Sequence, residues 1–299
     1  MDLNGLGNEE KRIKYRYILI AILFIIIVLL IIFLFIVKNS NNEENNNNED
    51  DLNTVANKEQ EEELMVIALD KNKESEESKE KLKQEEENAT GVIYLTFDDG
   101  PTSDSTPQIL DILKKKDVKA TFFVLHYSEE NAKYIKREQN EGHTIALHGY
   151  THTYSEVYTS ADSCIQNFRK IQEQVKQTTG ITSNIIRFPG GSSNTISRKY
   201  CQGVMTELSQ RVIDEGFRYF DWNVDSDDAG RARTSDDIFS NVTSGIKAHR
   251  NNVVLMHDFG GNHKTIGALE SIIDYGLENG YVFRRITDET PMVTHSVNN

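Results

Sequence analysis

From Gly91 to Ile286, short apolar runs alternate with amphipathic stretches, and this alternation leaves the chain few architectures. Strand-length runs fall at Val92–Phe97, Ala120–Leu125, Thr144–Leu147, Ile185–Phe188, Tyr219–Val224, Val253–Met256 and Tyr281–Ile286. Between them lie helical patterns at Thr106–Lys116, Glu129–Glu141, Ala161–Thr178, Gly203–Glu215, Ser235–His249 and Lys264–Glu278. Gly142, Gly180, Gly216 and Gly280 stand where helix C-terminal glycines belong. Parallel strands need crossover connections, so regular strand–helix alternation predicts a parallel α/β domain. Seven or so repeats favour a closed or nearly closed barrel, although an open sheet has the same periodicity.

The N-terminal part is a different material. Ile18 to Val37 is an unbroken apolar run, and about 20 such residues suffice to cross the hydrocarbon core as a helix. Lys11, Arg12, Lys14 and Arg16 precede it and only Lys38 closely follows. The positive-inside rule then predicts a cytoplasmic segment 1–16, a single-pass signal anchor over 17–38, and an extracellular remainder at the cell membrane. Residues 39–90 hold 17 acidic and 6 basic residues, about −11 of the chain's net −14. Low hydrophobicity with like charge predicts a disordered acidic stalk, with helical tendency over Lys79–Glu87. The domain is expected over 91–290, with a C-terminal tail over 291–299. The acidity belongs mostly to the tether, and no nucleic-acid partner and no obligate protein partner is expected. Cys164 and Cys201 are the only cysteines; they form no metal motif and imply no disulfide framework.

The polar residues that break the apolar pattern fall at one end of the expected strands. Asp98-Asp99 ends the first, His148 the third, and His257-Asp258 the sixth. Arg187 lies in the fourth with Pro-Gly-Gly after it, and Asp225 to Asp228 follow the fifth. In parallel α/β domains the C-terminal strand ends share one face, and that face carries the chemistry. Adjacent carboxylates repel, so Asp98 and Asp99 need a cation or an arginine. His148 and His152, spaced four apart, can converge from one face of a helical turn on a single cation. With a carboxylate they make a two-histidine, one-carboxylate site that suits zinc, with iron, cobalt, nickel or manganese as alternatives.

The ordered set TFDDGP at 96–101, HGYTH at 148–152, RFPGG at 187–191, DSDDA at 225–229 and LMH at 255–257 resembles the motifs of the polysaccharide deacetylase family. This is the NodB-homology domain of carbohydrate esterase family 4, and the resemblance covers about residues 91–287. It implies a distorted (β/α) barrel and metal-dependent hydrolysis of N-acetyl groups on amino-sugar polymers. By matching positions it implies Asp99, His148 and His152 as metal ligands and Asp98 as general base. Arg187 would orient that base, His257 would be the general acid, and Asp228 would hold His257. Gly190 and Leu255 would line the substrate and oxyanion position. Two departures stand out: Ala229 replaces a tryptophan that walls the sugar pocket, and Gly190 replaces a bulkier residue, which would open the groove. Trp222 is expected in the core, and His126 and Tyr127, which point towards the active face, are read as groove lining or as structural residues. His143, His249, His263 and His295 match no motif.

The expected substrate is a cell-envelope glycan, first of all peptidoglycan at N-acetylglucosamine or N-acetylmuramic residues. Chitin oligomers and poly-N-acetylglucosamine come next, and a non-catalytic glycan-binding protein is the alternative of another class.

Overall fold

A computed structural model of the chain describes residues 76–299. The expected cytoplasmic segment, the signal anchor and most of the stalk lie outside these residues. Among the described residues no helix is long and apolar enough to cross a membrane. The stretch read as stalk is helical over 76–88, and Arg284 reaches back to Glu85 at 2.9 Å and Glu86 at 3.1 Å.

In chain order the elements are β1 (Val92–Asp98), α1 (Ser105–Lys115), β2 (Thr121–Val124), α2 (Ala132–Asn140) and β3 (Thr144–Leu147). A single turn, α3 (Tyr154–Val157), precedes the long α4 (Ala161–Thr179) and β4 (Ile185–Ile186). Then come a 3-10 turn (Ile196–Lys199), α5 (Val204–Asp214), β5 (Arg218–Tyr219), β6 (Val224–Asp225), α6 (Ser235–Gly245), β7 (Asn251–His257), α7 (His263–Glu278) and β8 (Val282–Phe283). Local chemistry fixes several ends. Ser160 caps α4 by accepting from the Ser163 N–H, and Gly180 closes it in the left-handed conformation. Thr234 and Asp237 form a reciprocal capping box on α6. That helix stops at Gly245, four residues before the expected end, because Ile246 turns extended to feed β7.

All strands pair in parallel in the order β5-β4-β3-β2-β1-β7-β6. The first two residues of β1 also pair with β8. The expected strand Tyr219–Val224 is divided. Its first part joins β4 at one edge, and its last part joins β7 at the other. The sheet is therefore a half-barrel of seven strand positions, with residues 220–223 crossing between its edges. The C-terminal tail packs there: the Asp221 N–H donates to the Val293 carbonyl at 2.8 Å.

Alternation along the strands separates two cores. Ile93, Leu95 and Phe97 face outward into the helix layer with Ile109, Leu113, Phe168 and Leu269. Val92 and Tyr94 face inward with Phe123, Ala146, Phe220 and Val253. Continuing the inward register by two-residue steps leads from Tyr94 through Thr96 to Asp98, from Ala146 to His148, and from Val253 through Leu255 to His257. The same periodicity that builds the barrel interior thus delivers three polar side chains to its C-terminal mouth.

Candidate active site

Arg187 follows β4 and is wholly buried beneath the mouth. Its Nη1 donates to Asp98 Oδ1 at 2.7 Å and to Thr96 Oγ1 at 2.8 Å. Its Nε donates to the Phe220 carbonyl at 2.9 Å and its Nη2 to the Asp221 carbonyl at 3.1 Å. The guanidinium lies 4.0 Å over the Phe123 ring, so a face is used as well as its edge. Burial pushes the Asp98 carboxyl up, against the opposing pull of Arg187 and His257.

Asp99 leaves the strand. Had β1 continued, its side chain would face the helices; instead its backbone takes φ +77° and its Oδ1 comes to 3.6 Å from His148 Nε2. His148 Nδ1 donates to the Arg187 carbonyl at 2.9 Å, which leaves the Nε2 lone pair for the mouth. Burial pushes His148 down to about 3, so the imidazole is neutral and able to ligate. Ligand atoms of Asp99, His148 and His152 lie within 4.8 Å of one another. Asp99 Oδ1 is buried and has no hydrogen-bond partner, a costly arrangement unless a cation sits against it. A carboxylate and two imidazoles with that unfilled demand fit a divalent metal ion.

The histidine pair does not share a helical turn as expected. Residues 149–153 form a loop in which Gly149 takes φ +136°. Asn167 of α4 ties it down: its Oδ1 accepts from the N–H of Tyr150 at 3.0 Å and of Thr151 at 2.9 Å, while its Nδ2 donates to the Thr151 carbonyl at 3.0 Å. A side chain on Gly149 would collide with that amide. Asn167 was not singled out by its sequence. The signal was a polar residue at a buried position of α4, between Cys164 and Phe168.

Across the mouth, His257 Nδ1 donates to Asp228 Oδ1 at 2.7 Å. Asp228 Oδ2 accepts from the His257 N–H at 2.8 Å, Asn262 Nδ2 at 2.8 Å and Thr265 Oγ1 at 2.6 Å. Burial disfavours both charges, but the mutual bond wins: His257 is pushed up to about 9 and Asp228 down to about 2. The imidazole is then protonated at neutral pH with Nε2–H free of Asp228. Asp258 backs this arrangement; its N–H donates to the Asp98 carbonyl, and its carboxylate accepts from Ser105 and Thr106. Burial pushes Asp258 up to about 7.

Other expected residues divide. Leu255 is buried on the inner face of β7, two residues below His257. Gly190 is exposed at the rim with φ +77°, but it does not open the groove, because a side chain built there would meet the Tyr154 hydroxyl. Ala229 is exposed. Trp222 sits edge-on to His295 with ring centres 4.8 Å apart and crowds Gly191. Tyr127 is buried and bonds Thr178 at 2.9 Å, so it faces the core rather than the mouth, while His126 is exposed and stacks on Tyr150 at 4.4 Å. Both cysteines are free.

A family profile described as polysaccharide deacetylase matches residues 85–204. The chain is 30% identical over 212 residues to a peptidoglycan-N-acetylglucosamine deacetylase of Bacillus cereus, covering 67% of this chain and 70% of the relative. It is 34% identical over 198 residues to the peptidoglycan-N-acetylglucosamine deacetylase of Listeria monocytogenes, covering 66% of this chain and 38% of the relative. Among solved structures, the catalytic domain of peptidoglycan N-acetylglucosamine deacetylase from Eubacterium rectale superposes with a TM-score of 0.66 at 43% identity. That match covers 70% of this chain and 94% of the other.

Proposed function

The chain belongs to the polysaccharide deacetylase family, and on that premise we propose that it hydrolyses N-acetyl groups from the amino sugars of peptidoglycan. The observation that carries this reading is the orphaned Asp99 oxygen facing the imidazoles of His148 and His152, between the Asp98–Arg187 pair and the His257–Asp228 pair. Asp99, His148 and His152 hold one divalent ion, for which zinc is the best match to the donor set. When bound, the ion supplies Lewis-acid charge at the acetyl carbonyl.

The chain's own residues do the rest. Asp98 accepts the proton of the attacking water, and Arg187 fixes which of its oxygens is free to do so. Gly190 offers a backbone N–H to the oxygen that gains negative charge. His257 delivers its Nε2 proton to the departing nitrogen, and Asp228 stabilises the imidazolium until it does. One water is consumed; acetate and a free amine result.

The N-terminal run Ile18–Val37 anchors the enzyme in the cell membrane, with its basic flank inside. The acidic stretch after it gives the domain reach into the wall, raising its effective concentration there. Digestion of enzyme-treated peptidoglycan followed by mass analysis of the sugars tests the substrate. Loss of 42 mass units, about one acetyl group, on glucosamine-containing fragments is the expected result. Unchanged peptidoglycan beside deacetylated chitin oligomers would move the substrate to another glycan.

A further inference from the structure

Two hydrogen-bond donors without partners meet at the rim of the mouth, and only one of them comes from a recognised motif. Among the described residues the Gly190 N–H finds no acceptor, while the neighbouring Gly191 N–H closes onto the Phe188 carbonyl at 2.7 Å. Over Gly190 stands the phenol of Tyr154, the first residue of α3. Its Cζ lies 3.1 Å from the position a Gly190 Cβ would take, and its hydroxyl lies closer still. That hydroxyl likewise makes no hydrogen bond among the described residues.

Packing on two sides holds this ring. It stands edge-on to His152 with centroids 5.6 Å apart and packs against Tyr158 at 5.5 Å. Tyr158 is fully buried, and its hydroxyl donates to the Pro189 carbonyl at 2.8 Å. The two tyrosines are thus stacked on the same loop, one anchoring it from below and the other reaching its exposed side. Gly190, in left-handed backbone, is the position that makes room.

We infer that the Tyr154 hydroxyl is a catalytic residue of the deacetylation proposed above, donating beside the Gly190 N–H to the acetyl oxygen as it becomes an oxyanion. Burial pushes the Tyr154 phenol above its ordinary value, so it is a neutral donor at neutral pH. Donors aimed where charge develops act on the transition state more than on the ground state. The inference rests on the deacetylase reading for its substrate and on the two unpartnered donors for its residue. A purely space-filling role for Tyr154 predicts a different outcome, because phenylalanine fills the same volume.

The test compares the metal-loaded wild type with Tyr154→Phe, using tri-N-acetylglucosamine as substrate and its methylphosphonamidate analogue as a tetrahedral ligand followed by calorimetry. The expected result is a loss on the order of 100-fold in kcat with KM nearly unchanged. Affinity for the analogue should fall by a similar factor, with metal affinity and melting temperature retained. A kcat within about threefold of wild type, or metal affinity falling in step with activity, would overturn the assignment. Failure of the deacetylase reading looks different: the wild type would release no acetate. In that case equal binding of the analogue by wild type and variant also overturns the role of Tyr154.

Discussion

Asp98 and Arg187 meet at 2.7 Å inside the barrel mouth, and the arginine is wholly shielded from water. Neither charge is tolerable there alone. Their contact joins the end of β1 to the segment after β4, so the Asp98 carboxylate and the loop carrying Gly190 are positioned by one interaction.

Replacing Arg187 with alanine leaves a buried carboxylate without its cation, which costs about 3–5 kcal/mol. Chemical denaturation should show that loss directly. Arg187→Lys should recover part of the stability but not the activity, because an ammonium cannot serve Asp98, Thr96 and the Phe220 carbonyl together.

The His257–Asp228 pair makes a pH prediction. His257 is raised to about 9, so its contribution to stability is complete below its unfolded value near 6.5 and is lost as pH rises through about 9. Asp228 is lowered to about 2, so its contribution is present above its unfolded value and is lost as pH falls through about 2. Proton NMR titration of the metal-free protein should find the His257 imidazole still charged at pH 8. In Asp228→Asn that proton should be lost well below pH 8; an unchanged titration would remove Asp228 as the cause.

Asn167→Ala should weaken metal binding without touching a ligand. Its side chain holds the loop between His148 and His152 through three hydrogen bonds. Supports of this kind are worth about 10–100-fold in metal affinity. Chelator competition on the purified protein measures it, and wild-type affinity would show that the loop holds itself.

The C-terminal tail should prove structural. Asp221 is fully buried and accepts from the Ser192 N–H at 2.8 Å and the His295 N–H at 2.7 Å. The His295 ring lies 2.6 Å from the Trp222 carbonyl and 3.0 Å from Ser193 Oγ. His295→Ala keeps the backbone bond to Asp221 but removes the ring from the partly buried Trp222 carbonyl and Ser193 hydroxyl, which should cost about 1 kcal/mol. A denaturation midpoint equal to wild type would contradict that.

What was legible in the sequence follows from which interactions are local. Val92–Phe97 read as a strand because burial on both faces leaves a continuous apolar run, and the polar residues at strand ends marked the active face. Tyr219–Val224 read as one strand because periodicity reports propensity and not partners; its two ends pair with opposite edges of the sheet. The spacing of His148 and His152 suggested a helical turn, but Gly149 and Asn167 impose a loop, and Asn167 lies 15 residues beyond His152. Gly190 looked like an opening for the same reason. The side chain that fills it, Tyr154, comes from 36 residues earlier in the chain, and no local pattern connects the two.

The central claim divides the labour of two adjacent carboxylates, with Asp99 holding the metal and Asp98 taking the proton. Acetate release from purified peptidoglycan, by wild type and Asp98→Asn each brought to the same measured zinc content, tests it most directly. The account predicts stoichiometric acetate and free amine from the wild type. The variant should hold its metal yet lose activity by a factor on the order of 100 to 10,000. Acetate released equally by both proteins, or by neither, would contradict it.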